Sequence, residues 1–368
     1  MSRNSNGRVL LIAPQAPPYG GMALQARLLR SLMERDGLEV AFLPSNLPLP
    51  GPWRFVDRIR GVRAVARLAY FCAALWKAVD QAGTVHILAA SWLYFFLVVT
   101  PSVVLSRVRG KRIVLNYRGG EADRFFRLFG SMVRPILRLA HVVTAPSPFL
   151  LEIIERRLGI TGQIVPNIVD HSVFRFRERP FLQPKMLVTR HLENLYGVDT
   201  VIRAFAEVQR RYPEASLRIA GSGSQRADLE KLVGDLHLRN VEFLGYIVAG
   251  DLPAIYDQCD ILLNASRADN FPGSLVEAAA SGLAIVSSNA GGIPHIFEDG
   301  KSALLAATED FRGLAAAVLR VLDDAHLACR LRRAALEQCR RYEWINVRRE
   351  LYPILGVEAV GRESCTVG

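Results

Sequence analysis

The chain has 368 residues, half of them apolar, with no long low-complexity tract; it is long enough for about two domains with separate cores, which excludes a disordered chain and a small disulfide-stapled module. Its five cysteines, Cys72, Cys259, Cys329, Cys339 and Cys365, are odd in number, scattered and without CxxC spacing, so they read as the reduced thiols of a cytosolic chain. The net charge of +11 is unevenly held: residues 1–175 contain 23 Lys/Arg against 10 Asp/Glu, and residues 176–368 contain 23 against 25.

The opening MSRNSNGRVLLIAP has too short an apolar run for a secretion signal and passes directly into a strand pattern. In the first half, strands are expected at 9–13, 40–43, 85–88, 113–117, 142–145 and, more briefly, 163–165, with amphipathic helices between them. The turn after the first strand, PQAPPYGG, ends in Gly20 and Gly21, and paired glycines at a strand-to-helix turn let backbone come close to a phosphate or simply make a tight turn. Residues 54–77 carry Arg54, Arg58, Arg60, Arg63 and Arg67 and then an apolar end with Tyr70, Phe71 and Trp76. In residues 124–138, Arg124, Arg127, Arg134 and Arg138 share one helical face, with Phe125, Phe129, Met132 and Ile136 largely off it, as in interfacial helices. Both segments also suit ordinary helices packed on a sheet. The apolar run 92–105 is 14 residues long and contains Pro101, too short to span a bilayer. The basic half therefore points to an anionic partner, a membrane surface rather than nucleic acid, for which no reading motif is found.

In the second half, strands are expected at 185–189, 217–220, 241–244, 261–263 and 284–287, again alternating with helices, which argues for a second parallel sheet built from βαβ units. Residues 171–184, with charges, two prolines and no periodicity, read as the hinge. This gives a domain at 1–170, a linker at 171–184, a domain at 185–343 and a tail at 344–368 that crosses back to the first. Ligands in such sheets bind beyond the carboxyl ends of the strands. Gly221 and Gly223 in AGSGSQR begin a dinucleotide fingerprint, but Arg226 replaces its third glycine, and a structural role is expected.

The richest stretch is ADNFPGSLVEAAASG at 268–282. Pro272 separates Asp269, expected in a loop, from Glu277, expected in the first turn of the next helix. Ser274 and Glu277 have capping-box spacing, and the exposed first-turn amides with the helix dipole also form an anion site; spacing alone leaves both readings open. His86, His191 and His295 read as local packing residues, and no clustered His/Asp/Glu spacing suggests a metal.

Taken in order, Gly20-Gly21, the VPNIVD run with Asn167 and Phe174, Arg190 before Tyr196-Gly197, the D-x7-E segment with its glycine-rich turn, and the tail from Trp344 to Tyr352 resemble the retaining family-four glycosyltransferases over nearly the whole chain. The resemblance implies an α/β GT-B fold, two Rossmann-like doubly wound domains facing across a cleft. It also implies transfer of a sugar, with retention, from a nucleoside diphosphate sugar to a lipid-linked or saccharide acceptor at the cytoplasmic membrane face, without metal or other cofactor. By the same resemblance Glu277 meets the donor ribose and Asp269 lies near the transferred sugar. The amides of Phe271, Pro272, Gly273, Ser274 and Leu275 approach the sugar and diphosphate, Arg190 counters the leaving charge, and Gly20 and Gly21 close on the phosphates. Three departures stand out: Asp269 replaces a glutamate, Tyr196 stands where a lysine is usual, and Arg118 where a histidine is common. Arg118 cannot act as a base, since it stays protonated, but could supply the missing positive charge. A sugar-nucleotide epimerase on a similar scaffold and a binding protein without turnover are the alternatives.

Overall fold

The computed structural model describes residues 8–17, 20–51 and 62–358. Pro18, Tyr19, Arg54, Arg58, Arg60 and Cys365, which entered the sequence reading, lie outside the described residues. The chain divides into two compact units, one from the described parts of Met1–Ile168 and Trp344–Gly368, the other Val169–Glu343.

In the first unit, β1 (Val9–Ala13), β2 (Val40–Pro44), β3 (Thr84–Ala89), β4 (Arg112–Tyr117), β5 (Val142–Ala145) and β6 (Gln163–Ile164) form a parallel sheet in the order β2-β1-β3-β4-β5-β6. β1, β3 and all of β4 after Arg112 are buried, so near-continuous apolar runs replace alternation, as a sheet covered on both faces requires. One face is covered by α2 (Val62–Asp80), a π-turn Phe95–Val99 running into α3 (Thr100–Val108), α4 (Ala122–Leu139) and α5 (Pro148–Leu158). The other packs on α1 (Gly21–Arg35) and on the helix Trp344–Leu355, which returns to this unit from the end of the second. Asp36, just past α1, fixes that helix by accepting from Trp344 Nε1 (2.9 Å), Arg348 Nη1 (3.1 Å) and Tyr352 Oη (2.7 Å).

The second unit repeats the plan with β7 (Lys185–Thr189), β8 (Ser216–Ala220), β9 (Val241–Gly245), β10 (Ile261–Asn264), β11 (Ala284–Ser288) and β12 (Leu304–Ala306), ordered β12-β11-β10-β7-β8-β9 and parallel throughout. β12, three residues long, was not among the expected strands. The connecting helices are α6 (Val198–Arg211), α7 (Arg226–Asp235), α8 (Leu252–Asp257), α9 (Gly273–Ala280), α10 (Phe311–Asp323) and α11 (Ala325–Cys339), which makes the returning Trp344–Leu355 helix α12. Because strand order reverses between β7 and β10, that is the switch point of a doubly wound sheet, where neighbouring loops diverge and leave a crevice.

Residues 171–184 are not a free linker but part of the second unit. The buried Arg179 guanidinium donates to Asp260 Oδ1 (2.8 Å) and to the carbonyls of Ser281 (2.8 Å) and Tyr256 (3.1 Å), while the fully buried Arg332 donates to the carbonyls of Gly282, Arg179 and Arg177. Buried guanidinium groups are tolerated when their donors are satisfied, and here they staple this irregular segment to the amino-terminal edge of the sheet.

Candidate active site

At the switch point, Arg190 directly follows β7 and Asp269 lies in the loop after β10. Arg190 Nη2 and Asp269 Oδ2 are 2.8 Å apart, with both side chains largely buried. Arg190 Nε donates to Asn264 Oδ1 (2.9 Å), and Ser266 Oγ donates to the same oxygen (2.8 Å). Asn264 Nδ2 in turn donates to Ser287 Oγ (2.9 Å) on the neighbouring strand. This chain of donors fixes the guanidinium through residues buried at the ends of β10 and β11. The Tyr196 ring lies 5.4 Å from the guanidinium carbon, so the tyrosine at the usual lysine position packs on the cation instead of adding a second charge.

Asp269 is held by its own loop. Its Oδ1 accepts from the Phe271 amide (3.1 Å), and its carbonyl accepts from the Gly292 amide (2.8 Å). Gly291 has φ +55°, and a Cβ there would run into the Asp269 carbonyl oxygen, so glycine is what allows the loop after β11 to press this close. Gly221 and Gly223 play a comparable part: side chains there would collide with the backbone of Arg190 and Leu192, so this pair packs the Arg190 loop against the end of β8.

α9 starts at Gly273 with Pro272 as its N-cap, which puts Glu277 in the second turn, not the first. The capping box does not form: no side chain caps α9, and Ser274 Oγ is buried without a partner among the described residues. The reason is that proline ends the extended loop and sets the N-cap two residues earlier than the serine spacing suggested. Glu277 instead accepts from Tyr256 Oη (3.0 Å), which itself is buried against the edge of Phe174. Burial raises the Glu277 pKa, while the Tyr256 hydroxyl and the Arg190 charge pull it back. The expected row of anion-binding amides also narrows: Pro272 has none, Phe271 donates to Asp269, and Leu275 donates to the Pro272 carbonyl (3.1 Å). Gly273 and Ser274 are left, the first two helical residues, whose amides lack intrahelical acceptors.

Gly20, Gly21 and Arg118 belong to the first unit. Gly20 is the N-cap of α1, and a Cβ at Gly20 or Gly21 would lie in open space, so the fold itself does not demand glycine there. Arg118 follows β4; its Nε donates to Asn116 Oδ1 (2.8 Å) and its Nη1 to Asn167 Oδ1 (2.6 Å). Burial draws its pKa down to about 10, and no carboxylate pairs with it among the described residues. Tyr256, Asn264 and Ser266 around Arg190 and Glu277, and Asn167 beside Arg118, are residues to which sequence reasoning gave no role, although Ser266 and Asn167 lie in stretches that carry the resemblance. Among the described residues no three His, Cys, Asp or Glu side chains come together as a metal site.

Residues 174–338 match the glycosyl transferases group 1 family. The match lies within the second unit, Val169–Glu343. Among curated relatives, the chain is 32% identical over 188 residues to a glycogen synthase of Mycobacterium tuberculosis (50% of this chain, 45% of the relative). It is 29% identical over 197 residues to a phosphatidyl-myo-inositol mannosyltransferase of Mycolicibacterium smegmatis (51% and 50%). The chain thus spans about half the length of these relatives. Among solved structures it resembles Anabaena Alr3699/HepE in complex with UDP (TM-score 0.72, 16% identity, covering 95% of this chain and 99% of that one). It also resembles the sucrose-phosphate synthase of Thermosynechococcus elongatus (TM-score 0.76, 18% identity, 94% and 98%). The fold is GT-B, with a Rossmann-like sheet in each unit.

Proposed function

We propose that this protein is a glycosyltransferase that moves a sugar, with retention, from a nucleoside diphosphate sugar to a lipid-linked or saccharide acceptor at the cytoplasmic face of a membrane. The observation that carries the reading is the buried Arg190–Asp269 pair at the switch point of a group 1 domain, with Glu277 set beside it on α9. The Glu277 carboxylate is suited to accept hydrogen bonds from ribose hydroxyls. The Gly273 and Ser274 amides, with the positive end of the α9 dipole, suit the diphosphate. Arg190 would counter the charge that develops as the diphosphate leaves, and Asp269 would lie by the transferred sugar, where it can steady positive charge on the reacting carbon. Within the first unit, Arg118, a cation without a carboxylate partner among the described residues, and the bare backbone at Gly20 and Gly21 are each suited to meet a phosphate. Charge stabilisation would then come from protein groups, with no metal or other cofactor.

Thermal stabilisation by UDP, GDP, ADP and dTDP tests the donor site. A nucleotide at about 100 times its Kd adds roughly 2.7 kcal/mol to the native state. The reading expects one nucleotide to stabilise the wild type and Glu277→Ala to abolish that shift without unfolding the chain. UDP is the first to try, because it occupies the Anabaena structure. No shift with any nucleotide would remove the donor site, and binding without nucleotide release toward any acceptor would leave a sugar-nucleotide-binding protein.

A further inference from the structure

The outer surface of α2, α3 and α4 has a composition that packing on the sheet does not account for. These helices lie side by side with α3 in the middle, and their inner residues join one core. Their outer residues should then be polar, yet large apolar side chains stand in solvent. In the helical run through α3, Leu93 (73% exposed), Leu97, Val104 and Val108 (68%) recur at intervals of four, seven and four, which places them on one ridge. On α4, Leu128 and Met132 are each 58% exposed. On α2, Val65 (68%) and Trp76 are exposed. Trp92 links the two ridges, with its ring edge-on to Phe125 and Phe129 and under the Arg124 guanidinium.

The charge on this face has one sign. Residues 62–139 contain twelve Lys/Arg and three Asp/Glu, and each acid is already paired: Asp80 with Arg109, Glu121 with Arg124, Asp123 with Arg156 and Arg157. Arg127, Arg134 and Arg138 flank Leu128 and Met132 on the exposed side of α4. No helix of at least 18 residues among those described is apolar enough to cross a bilayer. Contiguous exposed apolar surface rimmed by cations suits a partner that offers hydrocarbon beneath a layer of negative charge.

We infer that the outer face of α2, α3 and α4 docks on an anionic lipid surface, with Leu93, Leu97, Leu128 and Met132 entering the headgroup boundary and Arg127, Arg134 and Arg138 meeting lipid phosphates. This deepens the membrane-face part of the functional reading, yet it is tested without donor or acceptor, so either can fail alone. The full chain is sedimented with phosphatidylcholine vesicles and with vesicles in which part of that lipid is replaced by phosphatidylglycerol. Binding is expected to the anionic vesicles, to weaken with salt, and to fall roughly fivefold for each of Arg127→Gln and Arg134→Gln. Leu93→Ser with Leu128→Ser should lower it about tenfold or more; urea midpoints confirm that all variants fold. Three results would overturn the inference: no binding to either vesicle, binding unchanged by both sets of variants, or a concentration-dependent dimer that the leucine variants disperse while vesicles are ignored.

Discussion

Arg190 and Asp269 meet 2.8 Å apart, carried by the two strands between which the order of the second sheet reverses. The pair neutralises itself before any substrate is bound, so its carboxylate and guanidinium should separate in their kinetic effects. Asp269→Asn keeps the size of the side chain and frees the Arg190 charge. It is expected to lower kcat by roughly 10²–10³ while nucleotide affinity holds or improves. Steady-state kinetics with a separate nucleotide titration decide this, and a raised KM at unchanged kcat would place Asp269 in binding alone.

Glu277 is held in tension between burial and its donors. The folded state keeps a proton that the unfolded chain has lost just above the ordinary value of 4.5, so the contribution of this group to stability declines as pH rises through that window. Glu277→Gln removes the charge but keeps an acceptor for Tyr256. The ligand-free variant should melt at or above the wild-type temperature, and its nucleotide Kd should rise about 10–100-fold through loss of charged hydrogen bonds. Differential scanning calorimetry with and without nucleotide gives both numbers.

His86, on β3, titrates in the opposite sense. It is buried, neither ring nitrogen has a hydrogen-bond partner among the described residues, and burial, helped by the Arg118 charge, lowers its pKa to about 3. Between pH 6.5 and about 3 the unfolded chain holds one more proton than the folded one, so stability falls with acidification by up to about 1.4 kcal/mol per pH unit from this group. His86→Leu should flatten that limb. Urea midpoints of wild type and variant, compared from pH 7 to pH 4, should diverge steadily toward acid.

Asp36 accepts from three side chains of α12 and is largely buried. Asp36→Ala leaves Trp344, Arg348 and Tyr352 without that acceptor and should cost about 2–4 kcal/mol. Chemical denaturation would show it, and a loss below about 0.5 kcal/mol would mean that apolar packing alone holds the helix.

The positions of all strands but β12 were legible because buried parallel strands leave short apolar runs between amphipathic stretches, and Arg190, Asp269 and Glu277 could be named from the motifs around them. What decides their chemistry was not legible. Tyr256 meets Glu277 because α8 and α9 flank β10, a tertiary fact that no local spacing records. The staple at 171–184 was misread for a related reason: Arg179 looks like a solvated charge until Asp260, 81 residues on, is seen beside it. Capping-box spacing misled at Ser274 because Pro272 set the start of the helix first.

The first unit is assembled from two stretches of chain that the whole second unit separates. At about 5–20 residues per second of synthesis, the face of the first sheet that carries Val9, Leu11 and Val114 waits some 10–35 s for α12 to arrive and cover it. A nascent chain, or a fragment cut after Ile168, therefore presents a sticky half-built sheet to its neighbours. Expression of the first unit calls for the last helix to be supplied, either in trans or by a circular permutation that joins it directly to the strands it covers.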